Sequence, residues 1–380
     1  MEPMNRVLLI TAYPFHPWCG AALRARHTAA ALAGLGYGVD VLAPPGGEPP
    51  ELPGVRVVQT PHIPCIGPMR PDGASARAIY RFLLAVWALA LARVHRYRIV
   101  HAVGAAWPAA RLAARLCGSG LVYEADPQDR RAARRTSRAL RRADAVIAAE
   151  PEGVDAMREL GRQSRACLIP DIPGTWQQAD EAGRLDVRTR LGAAPDTPVL
   201  TYVGSFRKFQ GVDLVFNALP AVLRDEPRAR LVMVGGTPQE IAAARAIISR
   251  AGLEQTVAFL GRIPAVDLVQ VLGASDILLA PRRTGTQVPM KVLDYLRSGT
   301  AVVATDCAAN RIALSSACAL LVRPDPEALA AGILALTRDP DRRAALGAAG
   351  RVRVEREFSF AAFQDGLKRC YAYVLLTGTP

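Results

Sequence analysis

Short, continuous apolar runs recur along the chain, and between them apolar positions return with helical spacing. Val7–Ala12, Gly38–Ala43, Arg56–Thr60, Ile99–Val103, Leu121–Ala125, Ala145–Ala149 and Ala166–Pro170 read as strands. Ala21–Leu35, Ala76–Arg96, Pro108–Leu116 and Gln128–Arg142 read as the helices between them. A strand that is apolar along its whole length is buried on both faces, which predicts a parallel sheet covered by helices on either side. The rhythm stops at Asp171–Pro198, which is polar and holds Gly and Pro. It then restarts with strands at Val199–Gly204, Ala229–Gly235, Val257–Leu260, Asp276–Ala280, Ala301–Thr305 and Leu320–Val322. Helical patterns at Val212–Leu223, Pro238–Ala251, Val266–Leu272 and Met290–Arg297 fill these gaps, and the tail from Pro326 to Leu376 is mostly helical. The pattern predicts an α/β protein of two Rossmann-like, doubly wound parallel-sheet domains. The expected divisions are a first domain at 1–175, a linker at 176–198 and a second domain at 199–357, with a C-terminal helix at about 358–380 packing back on the first. Ligands of such sheets bind outside the carboxyl ends of the strands, which points to the cleft between the two domains.

Length supports this division, since 380 residues exceed what one core usually holds. No apolar run reaches the ~18–20 residues of a membrane span, and the chain passes from Asn5-Arg6 directly into a strand, with no leader pattern. The seven cysteines are scattered without a CxxC pair. They read as reduced thiols of a cytoplasmic protein and give no metal site. The net charge of +13 comes almost entirely from arginine, with only Lys208, Lys291 and Lys368 as lysines. The excess is spread over both halves and no nucleic-acid motif accompanies it, so no nucleic-acid partner is expected.

Three loops carry the candidate chemistry. His16 to Gly20 follow the first strand and lead into a helix with Arg24, a geometry that offers backbone N–H groups to an anion or a sugar hydroxyl. Gly204-Ser205-Phe206-Arg207-Lys208-Phe209-Gln210-Gly211 follows the first strand of the second domain and brackets two cations with glycines. Arg282, Arg283 and Lys291 lie around the helix start at Pro289, where free N–H groups and the helix dipole favour a diphosphate. Asp294, one turn on, suits the hydroxyls of a ribose.

Taken together, Gly285-Thr286-Gln287-Val288-Pro289-Met290-Lys291-Val292-Leu293-Asp294-Tyr295-Leu296 and the following Gly299 resemble the donor motif of the retaining glycosyltransferases of the GT-B fold, glycosyltransferase family 4. Gly204–Asp213 resembles that family's first donor-domain loop, and Val257–Ile263, with Arg262 and Ile263, the segment that reads the nucleotide base. The resemblance implies a nucleotide-diphosphate sugar as donor, UDP being the commonest base, and a glycan, lipid-linked or small-molecule acceptor on the first domain. It also implies retention of the anomeric configuration without a metal or other cofactor, Lys291 and Arg207 neutralising the leaving diphosphate. Its donor contacts fall on Gly20, Gly204, Ser205, Lys208, Gln210, Gly211, Arg262, Ile263, Arg282, Gly285, Thr286, Gln287, Val288 and Asp294.

The chain departs from the family pattern. The first motif glutamate is Thr286, the second is shortened to Asp294, and Ser205 and Gln210 stand where Arg and Lys are usual. No histidine follows the strand ending at Glu124-Ala125-Asp126, so Asp126, or else Glu124, His101 or His16, would face the sugar. These losses leave open a catalytically inactive partner subunit that keeps the fold. A sugar-nucleotide 2-epimerase shares the architecture but wants bases on both domains, and the second domain has no histidine. Between Asp72 and Glu124 there is no acidic residue, while Ala78–Leu89 is apolar with Tyr80, Arg81 and Trp87. This stretch and the arginines of 130–142 suit peripheral contact with an anionic membrane.

Overall fold

The computed structural model describes residues 5–15, 20–46, 49–63, 74–125, 133–174, 177–285 and 287–377. His16, Asp126 and Thr286 lie outside the described residues. The chain divides into one compact unit of Met1–Ile172 with Phe360–Pro380, and a second of Pro173–Ser359.

In the first unit the elements run β1 (Arg6–Thr11), α1 (Gly20–Gly34), β2 (Gly38–Ala43), β3 (Val55–Gln59), α2 (Ala74–Val94), β4 (Ile99–Val103), α3 (Trp107–Cys117), β5 (Gly120–Glu124), α4 (Ala133–Arg142), β6 (Ala145–Ala148), α5 (Pro151–Glu159) and β7 (Ala166–Leu168). The seven strands form a parallel sheet in the order β3-β2-β1-β4-β5-β6-β7. Val7, Leu8, Leu9 and Ile10 are wholly buried because helices cover both faces of the central strand.

The second unit runs α6 (Glu181–Arg190), β8 (Val199–Val203), α7 (Val212–Asp225), β9 (Arg230–Val234), α8 (Pro238–Arg250), β10 (Val257–Gly261), α9 (Ala265–Ala274), β11 (Ile277–Ala280), α10 (Met290–Ser298), β12 (Ala301–Thr305), α11 (Ala308–Ala313), β13 (Leu320–Val322), α12 (Pro326–Thr337) and α13 (Pro340–Glu357). Its six parallel strands lie in the order β10-β9-β8-β11-β12-β13.

The last helix, α14 (Phe360–Thr377), belongs to the first unit. Its Phe363, Leu367, Cys370, Tyr371 and Val374 are buried in the core of α1 and the β1 side of the sheet, and Gln364 Nε2 donates to Ala31 O at 3.0 Å.

Three helices are absent from the sequence reading. α5 and α11 are short, and α6 lies in the stretch expected to be a linker. That stretch falls within the residues of the second unit. Asp180 caps α6 by accepting from Gly183 N at 2.6 Å. Arg188 then donates to Ala274 O at 3.0 Å and to Thr197 O at 2.7 Å, tying α6 to the end of α9 and the entry to β8. A helix held by polar contacts leaves little apolar periodicity to detect.

Candidate functional site

The order of the second sheet creates the site. From β8 the chain goes outward to β9 and β10, then returns to β11 on the other side. The loops leaving β8 and β11 therefore diverge, and doubly wound sheets bind ligands at such a switch point. The two strands pair from Ile277↔Leu200 as far as Leu279↔Tyr202. Beyond it, the buried hydroxyl of Tyr295 accepts from Val203 N at 2.8 Å and donates to Leu279 O at 3.3 Å. The side chain thus replaces the missing rung between the strand ends.

Close backbone packing shapes the crevice. Gly211 has φ 71° and a Cβ there would sit 1.9 Å from Pro281 O, so the β8 and β11 loops meet at a position only glycine fills. Arg283 N donates to Phe209 O at 3.0 Å, a second link between them. Gly235, with φ 101°, lets the end of β9 approach Gly204, whose carbonyl accepts from Gly236 N at 3.1 Å. Asn310 on α11 donates to Ala280 O at 3.1 Å and Thr305 O at 2.8 Å, which fixes the exit of β11 from the other side.

Into this frame α10 brings Lys291. The residue is only 9% exposed, and Nζ has no hydrogen-bond partner among the described residues. The ammonium lies 4.0 Å from the centroid of the Tyr202 ring and 3.2 Å from where a Cβ on Gly204 would stand. Burial pushes its pKa well below the ordinary lysine value, and the nearby Arg282 charge adds to the effect. A buried, unpaired ammonium is costly, and this one lies in the first turn of a helix with no side-chain cap, where N–H groups are unsatisfied. Arg282 is held beside it by donating Nε to Thr284 O at 2.8 Å and by stacking 5.4 Å above the Phe209 ring. Together these groups can take a multiply charged anion.

The remaining expected donor residues are distributed around this point. Arg207 and Lys208 are exposed. Ser205 presents its carbonyl to the Tyr202 hydroxyl at 2.7 Å. Gln210 Oε1 is buried without a partner among the described residues. Gly285 sits against the Arg282 guanidinium, Gln287 is half-buried and Val288 belongs to the core. Arg262 is exposed just after β10, whereas Ile263 packs against the core. Asp294 Oδ1 accepts from Gly174 N at 2.8 Å, so one carboxylate oxygen already has a backbone partner. Sequence reasoning missed Tyr295 and Asn310. Tyr295 was legible as the residue four after Lys291, on the same helical face.

In the first unit the structure gathers Arg24, His101 and Glu124 but closes them off from solvent. Arg24 donates to Glu124 Oε1 at 2.7 Å, Asp171 Oδ1 at 2.7 Å and Ile169 O at 2.8 Å. His101 Nε2 lies 3.3 Å from Glu124 Oε2, and Nδ1 shares a 2.7 Å hydrogen bond with the Tyr371 hydroxyl. Burial opposes both charges. The charges of Glu124 and Asp171 nevertheless raise the Arg24 pKa, and chiefly the Arg24 charge holds Glu124 down at about 2. These three expected acceptor-side groups form a buried brace joining α1, β4, β5 and α14. Gly20 opens α1. Among the described residues no cluster of His, Cys, Asp or Glu could hold a metal ion.

This topology is that of the GT-B glycosyltransferases. The chain superposes on a sucrose-phosphate synthase of Thermosynechococcus elongatus with a TM-score of 0.77 at 21% identity, over 98% of this chain and 99% of that one. It superposes on HepE of Anabaena in complex with UDP with a TM-score of 0.74 at 18% identity, over 97% and 100%. Residues 19–172 match the family model of the glycosyl transferase 4-like domain, and residues 197–339 that of glycosyl transferases group 1. The chain thus carries a glycosyl transferase 4-like domain followed by a glycosyl transferases group 1 domain. A GDP-mannose-dependent monoacylated alpha-(1-6)-phosphatidylinositol monomannoside mannosyltransferase of Corynebacterium glutamicum is 33% identical over 187 residues, 47% of this chain and 48% of that protein. The matches span about half the length of these curated relatives.

Proposed function

We propose that the chain transfers a glycosyl group from a nucleoside-diphosphate sugar, held by the second unit, to a sugar or lipid-linked acceptor. The observation that carries this reading is the buried, unpartnered Lys291 ammonium at the switch point, beside Arg282 and the α10 N-terminus. As the glycosidic bond breaks, the departing diphosphate gains negative charge. Fixed cations and N–H groups then stabilise the transition state more than the ground state. Neutralisation by protein cations makes a metal unnecessary, and we assign retention of configuration to the same leaving-group-driven chemistry. Asp294, oriented by Gly174 N, is assigned to the ribose. UDP in the HepE complex and GDP-mannose in the name of the C. glutamicum relative both support a nucleoside diphosphate. Peripheral contact with an anionic membrane is supported by exposed Ile79, Phe82 and Val86 along one face of α2. No helix among the described residues is long and apolar enough to cross a membrane.

A thermal-shift panel with UDP, GDP, ADP and their sugar conjugates, with and without chelator, tests the reading. Binding to the folded state raises Tm by mass action. One diphosphate should raise Tm equally with and without chelator, and that nucleotide names the base. No shift with any nucleotide would overturn the donor site, and a shift abolished by chelator would overturn metal independence.

A further inference from the structure

A second cation cluster lies in the first unit at the amino end of β5, the opposite sheet edge from the carboxyl ends where ligands of such folds bind. Arg111 and Arg115 of α3, Arg142 at the end of α4, Ser119, Leu121 and Asp144 line a groove of about 460 Å³. The Arg138 charge acts on Arg111 together with those of Arg115 and Arg142, and burial and these charges lower the Arg111 pKa. Among the described residues none of these four arginines has a carboxylate within ion-pair distance. The polar groups nearby also have backbone partners: Asp144 Oδ2 accepts from Leu121 N at 2.8 Å, and Ser119 Oγ donates to Tyr97 O at 2.6 Å.

Among the described residues the surroundings do not balance the charge. Asp144 contributes one negative charge, and the carboxyl ends of α3 and α4 together about one more. The three guanidiniums lining the groove therefore leave an excess of about one positive charge, to which the Arg138 charge adds from beside it. By contrast, Arg188, Arg190, Arg283, Arg297, Arg338 and Arg353 of the second unit each meet a carboxylate.

We infer that this groove is a binding site for a phosphate dianion, a phosphomonoester or pyrophosphate group, separate from the proposed donor site. The planar forks of arginine match phosphate oxygens in pairs, and several converging on one groove favour phosphate over a single carboxylate. The site does not depend on the glycosyltransferase reading, since none of its residues belongs to the switch point of the second unit.

The test uses the whole 380-residue chain carrying Lys291→Ala, so that the second unit does not take up the probe. Inorganic pyrophosphate is titrated by calorimetry, and vesicles of phosphatidic acid in phosphatidylcholine are sedimented against phosphatidylcholine alone. The pocket variant is Arg111→Glu/Arg115→Glu, and Arg142→Gln is a milder one. Arg224→Glu/Arg250→Glu, exposed in the second unit, changes the net charge equally. If the site takes a free phosphate, pyrophosphate binds and the pocket variant weakens it about tenfold or more, the control leaving it unchanged. If the phosphate comes from a lipid, phosphatidic acid vesicles show that pattern and pyrophosphate does not bind. Absence of binding to both probes at about 1 mM, or equal losses in pocket and control variants, would overturn the site.

Discussion

Among the described residues each unit buries one cation at a junction of helix and sheet, and the two are solved in opposite ways. Arg24 is 8% exposed and makes three charge-assisted or carbonyl hydrogen bonds, to Glu124, Asp171 and Ile169. Lys291 is 9% exposed and has no hydrogen-bond partner among the described residues. Their pKa values move in opposite directions for that reason, up for Arg24 and down for Lys291. Burial is nearly the same, so the partner decides what each does. A satisfied buried charge braces the fold, and an unsatisfied one stores a cost that only a ligand removes.

The sharpest way to break the comparison is to undo the satisfied member. Glu124→Gln leaves Arg24 with one carboxylate inside a dry core, and removing one partner of a buried pair costs about 3–5 kcal/mol. Denaturant unfolding at neutral pH reads this, and a loss below about 1 kcal/mol, typical of surface pairs, would show that the brace is idle. The sign with pH follows from Glu124, whose folded pKa of about 2 is below the ordinary 4.5. Its contribution is present above 4.5 and is lost as pH falls toward 2, so wild type and Glu124→Gln should converge in acid.

Lys291→Met attacks the other member, with the opposite expected sign. It removes an unpaired buried charge and should stabilise the ligand-free protein by about 1–2 kcal/mol, while abolishing the diphosphate-induced rise in Tm. The folded pKa of Lys291 lies below its ordinary 10.5. The penalty is therefore complete below the folded pKa and fades as pH rises toward 10.5, so the advantage of the variant should narrow over that range. A destabilised Lys291→Met, or one that keeps its response to nucleotide, would place Lys291 with Arg24 as a structural cation.

The two cations look alike in the sequence, and the reason is distance along the chain. Arg24 meets Glu124 across 100 residues and Asp171 across 147, separations at which one sequence shows no pairing. The strands were legible because parallel, doubly covered strands are apolar from end to end, as Val7–Ile10 and Ile277–Ala280 are. The site loops were legible because Gly204, Gly211 and the cations near Pro289 fall where such strands end. Illegible were the elements held by polar contacts, α6 through Asp180 and Arg188, and groups such as His101, whose buried partner Tyr371 arrives on the last helix.

The smallest expected effect concerns what holds Lys291 in its place. The Tyr295 hydroxyl bridges Val203 N and Leu279 O where β8 and β11 part. It sits on α10 one turn after Lys291, so the same helix both splays the strands and delivers the ammonium between them. Tyr295→Phe keeps the packing of the ring and leaves a buried N–H unpaired, a cost of about 1 kcal/mol. If the bridge positions the crevice, the variant should also weaken nucleotide binding about threefold, because the β8 end shifts relative to Lys291. A stability loss with unchanged affinity would make the hydroxyl a fold contact only. Lys291 would then depend on the glycine-tight loops, not on this bridge, for its position.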